Sequence, residues 1–405
     1  MSRPTSPSSA GAAATSEHGV FAASRLTLAR ERRGLTRREL AAVCEVVPDA
    51  ITKFEMQRCR PLPETVQRFS LALHFPLAWF YASEVQLLDS KALSFRARRS
   101  MTAALRDQTT RAGDVVLSVV LPELRRRFVL PPVQLPDYAG YDPEEAARLL
   151  RHEWKLGQGP IGNMVHLLET KGVNVFWVRE ESPTLDAWSL WQDSVPLVML
   201  NLRSEAGCRA RFDAAHELGH LVLHRGARTL DGLEIEAEAN HFASAFLLPG
   251  EQFKAEAPPY PVLKAFFPLK RRWGVSIAAM VMRCKQLGVF SEWDTRRAFQ
   301  EIATRGWKTQ EPEEVALMRE TSRLQTMLGE RLRAKGVDVE ELARELSLVP
   351  SDVRELMPFL EPMPLAQEGG AAKDRTARAA EEPSTTGSLG KEVPGSTARH
   401  LRLVL

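Results

Sequence analysis

Residues 216–220 read His-Glu-Leu-Gly-His. In a helix, positions i and i+4 lie on one face, so the imidazoles of His216 and His220 can reach a single metal ion. Glu217 stands beside the first histidine, placed to act as general base toward water acidified by that metal. The chemistry on offer is metal-assisted hydrolysis. A third donor is expected from the run Leu233–Pro249 (LEIEAEANHFASAFLLP), which supplies Glu236 and Glu238. These two point about 160° to 200° apart on a helix. Glu236 is preferred, because it shares a face with Asn240, which can orient a histidine ligand from behind. Glu238 is the alternative.

Two more histidines need weighing. His224 lies one turn beyond His220, but a third histidine ligand after such a motif normally requires a glycine-broken helix and a longer spacer. It is read as a helix-end residue. His241 reads as polar surface, with an active-site electrophile as the alternative.

The elements that must hold these groups are visible in the pattern. Residues 142–172 look helical. Three strand-like runs follow, Val173 to Val178, Ala187 to Trp191 and Pro196 to Leu202. Helices are expected over roughly 205–225 and 233–248, the first made suitable for burial by Ala214, Ala215, Leu221, Val222 and Leu223. The strand Pro196 to Leu202 could be a sheet edge that receives an extended substrate, or an ordinary core strand.

A second kind of chemistry is suggested near the start. In residues 36–55, TRRELAAVCEVVPDAITKFE, Thr36 and Glu39 form a capping box. Gly34 suits the end of a preceding helix, and Pro48 the first position of the next. Leu40, Ala41, Val47, Ile51 and Phe54 supply one apolar face. Two short helices at a tight turn form the layout whose second helix enters the DNA major groove. Residues 21–82 carry ten Lys or Arg against six Asp or Glu, a net +4. Arg37, Arg38, Arg58 and Arg60 are natural phosphate contacts, and Asp49, Ala50, Thr52, Lys53 and Gln57 would face bases. A plain helical bundle with a basic surface fits the same pattern.

Residues 338–357, DVEELARELSLVPSDVRELM, align with 36–55 without a gap. Residues 311–360, however, hold seven basic and eleven acidic residues, a net −4. Acidic surface repels phosphate, so this copy is read as a packing or protein-interaction element.

Composition bounds the rest. The chain has 405 residues, 44% of them hydrophobic and 26% charged, which excludes a wholly disordered protein. Four cysteines without paired spacing exclude a disulfide framework or a cysteine-only zinc site. The longest apolar stretch, Val115 to Leu121, is too short to span a bilayer, and the N-terminus lacks the apolar run of a signal peptide. A cytoplasmic protein without membrane partners is expected. Basic clusters stand at Arg96, Arg98 and Arg99 and at Arg125 to Arg127. Residues 1–20 and 363–405 read as disordered, with the apolar Leu401 to Leu405 unexplained.

Residues LARERRGLTRRELA and VPDAITKFEMQRCRPLPETVQRFSLAL resemble the XRE/Cro-type helix-turn-helix family, which implies double-stranded DNA as a partner. That family usually has Gly in the turn between its two helices, where this chain has Glu45, so the resemblance implies a remodelled turn here. The pieces GPIGNMVHLLETKGVNVFWV, PLVMLN, RFDAAHELGHLVLH and EAEANHFASAFLLP, within about residues 140–310, resemble the ImmA/IrrE family of zinc metallopeptidases. That resemblance implies a gluzincin-like Zn2+ site with His216, His220 and Glu236 as ligands and Glu217 as base. It also implies a protein substrate of the helix-turn-helix repressor class.

The expected fold class is multidomain. An all-α helix-turn-helix domain (21–83) is followed by a helical linker (84–140). An α+β gluzincin-like metallopeptidase domain (141–310) precedes a helical acidic C-terminal segment (311–362). The expected function is a transcriptional regulator that hydrolyses peptide bonds, with a homodimer as the default state. Two alternatives stand beside it: a regulator whose peptidase fold is a non-catalytic sensor, and a toxin-antitoxin or phage-defence component.

Overall fold

The computed structural model describes residues 19–89, 102–179, 187–202, 207–225, 232–308, 311–312, 320–361 and 402–403. The expectations for residues 1–18, for the cluster at Arg96, Arg98 and Arg99, and for most of 363–405 fall outside the described residues. Two compact units are present. One takes its residues from the chain up to Val120 and from Val339–Val353, and the other from most of the remainder.

The first unit begins with four helices: α1 (Ala23–Arg32), α2 (Arg37–Val43), α3 (Pro48–Glu55) and α4 (Pro63–Leu73). A 3-10 turn follows at Leu77–Tyr81. Leu26, Leu40, Ile51, Phe69 and Trp79 are fully buried and form its core. The capping box is formed. The Thr36 hydroxyl accepts from the Glu39 N–H at 3.2 Å, and the Glu39 carboxylate accepts from the Thr36 N–H at 2.7 Å. Pro48 opens α3, where its missing N–H has no helical partner to lose. Gly34 is left-handed, with φ +68°.

Glu45 is left-handed too, at φ +52°. The turn between α2 and α3 is therefore closed in the ordinary way, with the Val46 N–H on the Ala41 carbonyl at 3.0 Å. The remodelling expected from a non-glycine residue does not occur. The chain instead tolerates a strain of about 1 kcal/mol.

Residues 84–140 do not behave uniformly as a linker. Helix α5 (Ala103–Val115) packs on α1, with Arg111 Nε 3.0 Å from Glu31 and with Ala112 and Val115 buried. One π-helical turn, Val116–Val120, leads into α6 (Leu121–Arg127).

The second unit holds a three-stranded sheet with helices around it. After β1 (Phe128–Val129) come α7 (Pro143–Glu153), α8 (Met164–Thr170), β2 (Asn174–Val178), β3 (Ala187–Gln192) and β4 (Val195–Asn201). Helices α9 (Gly207–Leu223), α10 (Gly232–Leu247), α11 (Gly250–Glu256), α12 (Phe267–Trp273), α13 (Ile277–Gln286), α14 (Glu292–Thr304) and α15 (Arg323–Ala334) follow. The three strands and the two helices after them fall within a few residues of where periodicity puts them.

The strand order is β2-β4-β3. β4 runs parallel to β2, with Val175 opposite Val198, and antiparallel to β3, with Ala187 opposite Leu200. The idea that Pro196 to Leu202 forms a sheet edge is thereby overturned. β4 is central, and its hydrogen-bonding groups are satisfied on both sides. Its inner residues, Leu197 to Leu200, are all buried, and Val198 and Leu200 join the apolar cluster of Ala214, Ala215 and Leu218 on α9.

Last come α16 (Val339–Glu345) and α17 (Pro350–Leu356). Relative to 36–55, α16 covers the same positions as α2, α17 starts at the equivalent of Pro48, and Ser347 repeats the left-handed Glu45 at φ +54°. Arg402 and Leu403 form β5, which pairs antiparallel with Phe128 and Val129. Among the described residues no helix is long and apolar enough to cross a membrane. All four cysteines are free.

Candidate metal centre

Helix α9 is buried for most of its length, and His216, Glu217 and His220 are 4%, 2% and 8% exposed. Helix α10 crosses it closely. The approach depends on Gly219, the fourth residue of the motif. A Cβ there would stand 3.1 Å from the Phe242 ring and 3.3 Å from the Ala239 Cα and carbonyl oxygen. Phe242 and Ala239 are themselves fully buried on α10. Glycine at 219 thus brings the carboxylate-bearing helix within reach of the histidines.

Three donor side chains converge. The Nε2 atoms of His216 and His220 are 3.0 Å apart. One Glu236 oxygen lies 3.4 Å from His216 Nε2, and the other lies 3.4 Å from His220 Nε2. Burial works against the charged form of Glu236, but the facing imidazoles outweigh it and hold the carboxyl well below the usual carboxylate range. A tetrahedral zinc site with bonds of 2.0–2.1 Å has donor-to-donor separations of about 3.3 Å. The residues present fit that group.

Each histidine is held from behind. His216 Nδ1 donates to Asn240 Oδ1 at 3.2 Å, and the Asn240 amide is fixed in turn by donating to the Glu236 carbonyl at 2.7 Å. His220 Nδ1 faces His224 Nδ1 at 3.1 Å. His224 is the first residue past α9, and its Nε2 lies 2.9 Å from Glu238. Burial is the largest influence on His224 and lowers its pKa. The two glutamates therefore separate as the helix wheel requires: Glu236 faces His216 and His220, and Glu238 faces His224. His241 points elsewhere, to Glu144 at 3.2 Å. Burial opposes the Glu144 charge, but Arg283 and His241 outweigh it and hold the carboxyl down at about 2.

Glu217 has a partner that sequence reasoning missed. Ser189 on β3 donates its hydroxyl to the Glu217 carboxylate at 2.6 Å and is 4% exposed. The only signal was a polar residue inside an otherwise apolar strand. Trp191, from the same strand, donates its indole N–H to the Leu221 carbonyl at 3.0 Å. The strand that flanks the motif helix beside Glu217 is thus β3. Among the described residues it pairs with β4 alone.

In the first unit, the nine residues expected to contact DNA are all exposed or half-buried. They are not equally free. Arg37 bonds Glu55 at 2.6 Å, and Lys53 pairs with Asp49 at 2.6 Å. Ala50 and Thr52 are half-buried on α3. Gln57 lies beyond the end of α3 and donates to Glu84 at 3.0 Å. Arg38, Arg58 and Arg60 are exposed.

No curated protein matches the chain. Residues 169–285 match the Peptidase_M78 family model, described as the IrrE N-terminal-like domain. The matched span holds β2 to β4, α9 and α10, and with them Ser189, His216, Glu217, His220, His224, Glu236, Glu238 and Asn240. This part of the chain is similar to domains of metallopeptidase type.

Proposed function

We propose that the chain is a zinc-dependent peptidase joined to a DNA-binding helix-turn-helix module, and that it regulates transcription by cutting a regulatory protein. The observation that carries this reading is the set of three donor separations, 3.0, 3.4 and 3.4 Å, beside a buried Glu217. His216, His220 and Glu236 would hold the metal. Bound zinc supplies a Lewis acid that polarises the scissile carbonyl and makes water acidic near neutral pH.

The chain's own groups do the remaining work. Glu217 takes the proton of the attacking water and returns it to the departing amine. The Ser189 hydroxyl fixes the Glu217 carboxylate for that transfer. Asn240 holds the His216 ring so that Nε2 is the free donor. An extended peptide segment can add to β3, whose backbone runs beside α9. A helix-turn-helix repressor is the substrate class expected.

The DNA-binding half of the proposal is supported by the α2–α3 pair, its exposed Arg38, Lys53, Arg58 and Arg60, and the +4 balance of residues 21–82. Phosphate contacts of this kind make affinity fall steeply with salt.

The test uses the full chain. Purified protein should carry one zinc per chain. Glu217→Gln should keep the metal and lose cleavage of repressor substrates, read by mass spectrometry of fragments with and without a chelator. Identical fragments from wild type and Glu217→Gln would end the peptidase reading. Absence of a preferred site in a DNA selection would end the DNA-binding one.

A further inference from the structure

We propose that His224 and Glu238 are positioning residues that fix the protonation pattern of His220 and so present its Nε2 lone pair to the metal. The inference rests on the reading of His220 as a ligand. It follows from which atoms can donate. A carboxylate only accepts, so the His224 nitrogen 2.9 Å from Glu238, Nε2, carries the proton. The neutral His224 ring then has a bare Nδ1. That atom lies 3.1 Å from His220 Nδ1 and accepts its proton. With Nδ1 protonated, His220 has its lone pair on Nε2, the atom facing His216 and Glu236.

The same result is reached at His216 by a different group, the amide of Asn240. The two histidines are thus oriented by unlike devices. One is a fixed amide within the α9–α10 contact. The other is a two-step chain that ends on Glu238, whose side chain is 38% exposed. The chain also accounts for the division of labour between the two glutamates of α10. Glu238 is engaged by His224 and leaves the donor position to Glu236.

The test measures Zn2+ affinity of the full-length protein by competition with a chelating dye, and the visible absorption of Co2+ placed in the site. His224→Ala removes the acceptor and should weaken Zn2+ binding about 10- to 100-fold, the usual effect of losing a group behind a ligand. It should also change the Co2+ bands. His224→Asn keeps an acceptor oxygen near the Nδ1 position and should retain most of the affinity. Glu238→Leu frees the His224 ring and should fall between the two. Circular dichroism of the metal-free proteins should be unchanged. Equal affinity in wild type and His224→Ala overturns the proposal while leaving the metal site intact. So does an equal loss in His224→Asn and His224→Ala, because bulk rather than the hydrogen bond would then matter. A wild-type chain that takes up no zinc is a different outcome, which overturns the metal-site reading and this proposal together.

Discussion

Arg33 grips Asp352 through both carboxylate oxygens, at 2.9 and 2.8 Å. Asp352 occupies the position in the C-terminal helix pair that Ala50 holds in the first. Ala50 is half-buried and Asp352 is 5% exposed, so the position that would face bases in α17 is taken up within the first unit. Of the two roles expected for this segment, packing or protein interaction, the Arg33–Asp352 contact is of the packing kind. Arg33 keeps other partners, the Leu73 and His74 carbonyls and the Phe75 ring. Asp352→Ala should therefore destabilise the attachment of α16 and α17 by about 1.5–3 kcal/mol, the range for a hydrogen bond to a charged group. Amide hydrogen exchange in residues 339–353 should accelerate accordingly. Unchanged exchange there would show that the apolar contacts alone hold the pair.

Gly219 sets the distance between α9 and α10. Gly219→Ala would place a methyl group 3.1 Å from Phe242 and 3.3 Å from the Ala239 backbone. Backbone steps aside less readily than a side chain, so α10 must give way by a few tenths of an ångström. Overpacking costs about 1–3 kcal/mol, and alanine's helix preference over glycine offsets about 1 kcal/mol of it, so a net loss of up to about 2 kcal/mol is expected. Zinc affinity should fall with it, because Glu236 rides on the displaced helix. Denaturation midpoints and dye competition together test this; a variant equal to wild type in both would refute it.

What could be read in the sequence was what is local. The spacing of His216, Glu217 and His220, the Thr36–Glu39 capping box and the strand boundaries all follow from short-range periodicity and capping. Helix geometry sets Glu236 and Glu238 on opposite sides, but which histidine each one faces depends on the packing of α10 against α9. Sheet order is not local, so the central place of β4 could not be read from residues 195–201. Nor could the buried glutamates that cap distant helices. Glu320 accepts from the Met164 and Val165 N–H groups at the start of α8, and Glu311 from Ile277 and Ala278 at the start of α13. Their partners are 33 to 156 residues away.

Glu45 and Ser347 hold equivalent left-handed positions without being glycine. An L-residue there is strained by about 1 kcal/mol. Glycine relieves the strain but adds about 0.4–1 kcal/mol of unfolded-state freedom. Glu45→Gly should therefore be neutral to slightly stabilising, by up to roughly 0.5 kcal/mol on those two figures. Glu45→Val should be clearly destabilising, since a β-branched residue fits this region poorly. Hydrogen exchange of the α2 and α3 amides orders the three proteins; protection in the valine variant equal to wild type would mean that the turn had changed conformation.

Glu169 closes the N-terminus of α15. Its carboxylate accepts from the Arg323 and Leu324 N–H groups at 3.0 and 3.2 Å and from the Ser322 hydroxyl. Burial nevertheless dominates these donors and pushes its pKa up to about 7. In the unfolded chain the group titrates near its ordinary value of about 4.3. Between those two values the folded protein holds a proton that the unfolded chain has released. Folding stability contributed by this group therefore falls as pH rises from about 4.3 to about 7, and is level on either side. Glu169→Gln has no such titration. Urea midpoints of both proteins at pH 5 and pH 8 isolate the effect, because other groups cancel in the comparison. The wild-type midpoint should lose more between the two pH values than the Gln variant's. Parallel pH dependence in the two proteins would mean that the three donors, not burial, govern Glu169.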